Sequence, residues 1–87
     1  MSLANPYHLG KNEIAQVEGF LQEWAQSQGY GTPYYKTVGT SGPDHAKSFI
    51  VEVLIENMVQ GSGIGHSKQA AAKIAAEQAI KALNITY

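Results

Sequence analysis

The chain of 87 residues has no cysteine, so neither a disulfide framework nor a thiolate metal site holds its fold. That absence suits an intracellular compartment. It also has no arginine: all six basic residues are lysines, at positions 11, 36, 47, 68, 73 and 81, against seven acidic ones. A net charge of −1 excludes the strongly basic domain that binds nucleic acid through bulk charge alone. Any anion recognition must come from a few lysines placed locally. No apolar run approaches the ~18 residues of a membrane span, and no signal-peptide pattern opens the chain. His8, His45 and His66 lie far apart without ligand spacing, and no paired acidic cluster suggests a hydrolytic centre, so no metal, cofactor or catalytic residue is expected.

What is present fits one small globular domain, with hydrophobic content of 44% and charged content of 15%. Residues 1–9 lack periodicity and contain Asn5-Pro6, so they read as a lead-in whose Met1-Ser2-Leu3 resembles a cloning scar; residues 10–87 form the domain. From about Lys11 to Gln28, Ile14, Val17, Leu21 and Trp24 recur at steps of three and four, the pattern of an amphipathic helix, with Phe20 widening the buried stripe. Gly29 and Gly31 end it. Tyr34 to about Thr40 is rich in aromatic and β-branched residues and reads as a strand, followed by the turn signal Ser41-Gly42-Pro43-Asp44.

A second strand alternates cleanly. Phe49, Val51, Val53 and Ile55 take the core face, while Ile50, Glu52, Leu54 and Glu56 take the other. Asn57 then turns the chain into a short third strand, about Met58 to Gly61. The stretch Gly61-Ser62-Gly63-Ile64-Gly65-His66-Ser67-Lys68 reads as a glycine-rich turn whose glycines permit left-handed or strained dihedrals. It runs into a helix from Ser67 to Leu83, with Ser67 as N-cap and a small-sided stripe of Ala71, Ala75, Ala76, Ala79, Ile80 and Leu83. Such a stripe lets the helix lie close to a sheet. The expected fold is α+β, in the order α-β-β-β-α, with two helices on one face of a three-stranded antiparallel sheet.

The start of the last helix carries free N–H groups and a partial positive charge, and Lys68 beside it strengthens an anion site. The glycine spacing is not Gly-x-Gly-x-x-Gly, no Gly-Lys-Ser/Thr ending occurs, and an antiparallel meander offers no βαβ crevice, so a small nucleotide-binding enzyme is disfavoured. His66 and Ser67 are neighbours at a helix start and point apart, which excludes a nucleophile–base pair.

Together these pieces resemble the double-stranded RNA-binding domain, from about residue 11 to 83. The resemblance rests on Pro33-Tyr34-Tyr35, Gly42-Pro43-Asp44-His45, the Phe49-Val51-Val53 strand, Gly63-Ile64-Gly65-His66-Ser67-Lys68 and the alanine series. The Gly-Pro-Asp-His loop and the strand after it are most similar to the C-terminal domain of ribonuclease III-type enzymes. The resemblance implies recognition of A-form shape through two minor grooves and the phosphates between them.

It implies three contact regions. Lys11, Glu18 and Gln22 share a ridge of the first helix that enters one minor groove. Pro43 and His45 reach the next from their loop. Ser67, Lys68, Gln69 and Lys73 meet phosphates at the start of the last helix. The family often has a glutamate where this chain has Gly19, and a second lysine where it has Gln69; a later family lysine falls on Ala72, one residue from Lys73. In this reading the chain is a binding domain without catalysis, its partner double-stranded RNA, and a neighbouring catalytic domain belongs to a larger parent. The alternative is a protein–protein or dimerisation module of the same fold with weak or lost RNA binding. Ile50 and Leu54, on the strand face away from the core, favour it and mark a face for a partner domain or a second copy.

Overall fold

The computed structural model describes residues 11–85; the lead-in at 1–9 lies outside them, as does the side chain of Lys11. The element order is α1 (Lys11–Ser27), β1 (Tyr34–Ser41), a 3-10 turn (Asp44–Ala46), β2 (Ser48–Ile55), β3 (Met58–Gly65) and α2 (Lys68–Ala82). The strands form one antiparallel sheet in the order β1-β2-β3, with the helices on one face. The α-β-β-β-α expectation holds.

Val17, Leu21 and Ala25, four residues apart on α1, are buried. Both helices stop the same way. At α1, Gly29 takes φ 81°, its N–H donates to the Gln26 carbonyl and the Tyr30 N–H reaches back to Ala25. The Tyr30 ring then packs edge-on against Trp24, 5.8 Å between centroids. At α2, Asn84 supplies the left-handed residue (φ 58°), and Ile85 N–H reaches the Ile80 carbonyl. These closures satisfy carbonyls that a helix end leaves free.

β2 presents Val51, Val53 and Ile55 to the core, with Phe49 partly buried at its end. The strand stops at Ile55, because Glu56 and Asn57 both take positive φ (54° and 65°) and make a two-residue hairpin to β3. Glu56 therefore belongs to the turn rather than the strand face. Its carboxylate accepts a hydrogen bond from the Gly31 N–H at 3.0 Å, tying the hairpin to the α1–β1 connection.

The glycine stretch departs from the sequence expectation. β3 runs to Gly65, so Gly61, Gly63 and Gly65 are strand residues paired with Val53, Val51 and Phe49. Among the described glycines, positive φ is confined to Gly29 and Gly42, so backbone freedom is not what Gly61, Gly63 and Gly65 supply. They supply room. A Cβ at Gly61 would run into the Ala75 carbonyl and come 2.6 Å from the Ala79 nitrogen. At Gly63 it would strike the Ala71 carbonyl and lie 2.6 Å from the Ala75 nitrogen, and at Gly65 it would lie 2.8 Å from the Ala71 nitrogen. The alanine stripe of α2 thus rests directly on the part of β3 from Gly61 to Gly65, which has no side chains on that face. Ala71, Ala75 and Ala79 are fully buried as a result.

Candidate nucleic-acid interface

The start of α2 is built from its cap outward. Ser67 sits in extended conformation, and its hydroxyl oxygen accepts from the Ala70 N–H at 3.0 Å. That satisfies one of the free donors of the first turn and fixes where the helix begins. Lys68 follows, exposed, with its ammonium 5.9 Å from the centre of the Phe49 ring. The ring face attracts the cation and lies beneath it.

These residues form one wall of an open groove of about 550 Å³. Glu18 of α1 faces them, Tyr35 and Thr37 of β1 and Phe49 and Val51 of β2 form the floor, and His66, Gln69 and Ala72 complete the rim. The groove lies between Glu18 of α1 and the start of α2, over residues of β1 and β2 on the inner sheet face. Tyr35 and Thr37 reach it by register, since they pair with Val53 and Val51 and share their face.

The groove is electrostatically mixed. Burial pushes the Glu18 carboxyl above its ordinary pKa. Burial, and secondarily the Glu18 charge, pushes the Tyr35 hydroxyl upward as well. The Tyr35 hydroxyl oxygen is buried and has no hydrogen-bond partner among the described residues.

Of the residues singled out from the sequence, Glu18, Ser67, Lys68 and Gln69 come together at this groove. Gln22 is exposed one turn further along α1. Pro43 (φ −72°) caps the 3-10 turn, and His45 sits exposed within it. Lys73 is elsewhere: it is not among the groove residues, is largely buried, and pairs with Glu77 at 2.7 Å. Ala72, where the resemblance implies a lysine, is buried at the groove rim. Tyr35, Thr37 and His66 line the groove without having been singled out. The signal for Tyr35 and Thr37 was strand parity: odd positions of β1 share the face of the odd positions of β2. Among the described residues no helix is long and apolar enough to cross a membrane, and no cluster of His, Asp and Glu is arranged to hold a metal ion.

Residues 19–83 match the family described as the double-stranded RNA binding motif. Among curated proteins, Ribonuclease 3 of Bradyrhizobium diazoefficiens is 39% identical over 74 residues, 85% of this chain and 30% of that protein. Ribonuclease 3 of Natranaerobius thermophilus is 40% identical over 77 residues, 88% of this chain and 34% of that protein. The chain thus spans about a third of these relatives. Among solved structures, Arabidopsis HYL1, described with its implications for miRNA processing, superposes with a TM-score of 0.67 at 31% identity, covering 78% of this chain and 96% of that one. Dicer from Pichia stipitis superposes with a TM-score of 0.63 at 26% identity, covering 84% of this chain and 34% of that one. A match over three quarters of its length, on the same α-β-β-β-α frame, places this chain in the double-stranded RNA-binding domain family.

Proposed function

We propose that this domain holds double-stranded RNA by its A-form shape, as the substrate-binding part of a larger, intracellular ribonuclease III-type RNA-processing protein. The observation that carries the reading is the convergence of Lys68, Gln69 and the capped α2 N-terminus with Glu18 of α1 at one open groove. Phosphates between two minor grooves would meet the free N–H groups and Lys68. Glu18 and Gln22 would probe one minor groove, and His45, stiffened by Pro43, the next. Lys73 would contribute its charge only after giving up Glu77, so the anion site rests mainly on Lys68 and the helix start.

A salt titration of duplex RNA binding tests this. Lys68→Ala should weaken binding similarly for unrelated duplex sequences and lower the slope of log affinity against log salt by about one. Lys81→Ala, at the far end of α2, should leave both unchanged. Equal affinity for duplex RNA, duplex DNA and single-stranded RNA would remove the shape-reading role.

A further inference from the structure

With both helices on one side, no described element covers the other face of the sheet. The strand register sorts that outer face into three rows. Tyr34, Leu54 and Val59 are cross-strand neighbours in the first row. Lys36, Glu52 and Ser62 form the second, and Gly39, Ile50 and Ile64 the third, with Val38 as the extra residue of the β1 bulge beside it. Tyr34, Val59 and Ile64 are 62%, 52% and 60% exposed. The pattern is apolar, charged, apolar. Each apolar row is contiguous across the strands, unlike the scattered single hydrophobes of an ordinary surface.

The middle row carries one lysine and one glutamate side by side. Among the described residues Lys73 and Glu77 form an ion pair, whereas Lys36 and Glu52 do not. This arrangement is self-complementary. A twofold axis lying between two stacked faces, parallel to the strands and passing between β1 and β2, sets each Lys36 opposite the second copy's Glu52 and brings the apolar residues of β1 onto those of β2, with Tyr34 opposite Leu54. Two lysines and two glutamates then balance at the centre. We propose that the outer sheet face takes a second copy of this chain, stacked face to face, with Lys36 and Glu52 of each copy forming the central charge cluster.

The size of the face sets the strength of the contact. The two overlaid strands, of eight residues each, cover roughly 260 Å² at ~4.8 Å strand spacing and ~3.4 Å rise. That is about a third of the ~800 Å² per partner of a stable interface, so the dimer is weak and concentration-dependent. It gains most where two copies are already held near each other, for instance on one duplex. The surface uses none of the residues assigned to RNA, so the two proposals stand or fall separately.

The test is sedimentation across a protein concentration series without RNA. The wild-type chain should move from monomer toward dimer mass as concentration rises. Lys36→Glu places four glutamates at the centre, and Glu52→Lys places four lysines, so each variant alone should stay monomeric. An equimolar mixture of the two variants restores two charges of each sign, and dimer mass should return. The double variant K36E/E52K should associate like the wild type, which also shows that the reversed charges leave the fold intact. A wild-type chain that stays monomeric overturns the proposal. So does a mixture that fails to associate, or single variants that still associate, since association would then run through another surface such as the free edge of β3. RNA affinity measured at dilute protein should be unchanged in both single variants; its loss would count against the RNA assignment while leaving the dimer test readable.

Discussion

The two sides of the sheet's inner face are covered in opposite ways. On the β3 side, three glycines and the alanine stripe let the α2 main chain rest on the strand main chain, with no space between. On the β1 side, Glu18 of α1 and the start of α2 flank an open groove containing a half-buried carboxylate and a hydroxyl without a partner among the described residues. The closed side fixes the direction in which the α2 start points. The open side keeps polar groups that a well-packed core excludes. A small domain thereby confines its imperfect packing to the side where a ligand is expected.

The largest effect should come from breaking the closed side. Gly63→Val puts two methyl groups where the Ala71 and Ala75 main chain lies, so α2 must lift off the sheet. Destabilisation of about 3 kcal/mol or more is expected, read by denaturant unfolding. Next comes the junction between the sides. Ser67→Ala removes the cap on Ala70 and should cost about 1 kcal/mol, with fraying of the first turn of α2 seen by amide exchange.

On the open side the signs reverse. Tyr35→Phe removes a buried hydroxyl that has no partner among the described residues, so stability should stay level or rise by up to about 1 kcal/mol. A clear loss of stability would mean that the hydroxyl is satisfied in solution. The smallest effect is the pH dependence of Glu18. Its folded pKa is raised, so the folded state holds the proton more tightly than the unfolded chain does. The stability this contributes is complete below the unfolded value near 4.5 and is lost as pH rises through the folded pKa. Glu18→Gln should flatten that part of the stability–pH curve, as followed by thermal melts at closely spaced pH values.

Much of the frame is legible in the chain itself. The three- and four-residue steps of Ile14, Val17 and Leu21 mark α1, the strict alternation from Phe49 to Ile55 marks β2, and Ser67 marks the start of α2, because each pattern is set by local backbone period or capping chemistry. Gly61 to Gly65 were not legible in this way. A strand of alternate glycines has no apolar face to betray its period, and only pairing with β2 beneath α2 makes it a strand. The company kept by Glu18 likewise depends on α1 packing against α2 rather than on β1, and Lys73 is drawn to Glu77 by a helix turn that sequence spacing permits but does not require. What the sequence determined by itself was which segments are helices and strands and in what order, since those follow from interactions within a few residues. Where the packing is closed, where it stays open, and which lysine remains available to an anion were decided by contacts between segments distant in the chain, which no local pattern encodes.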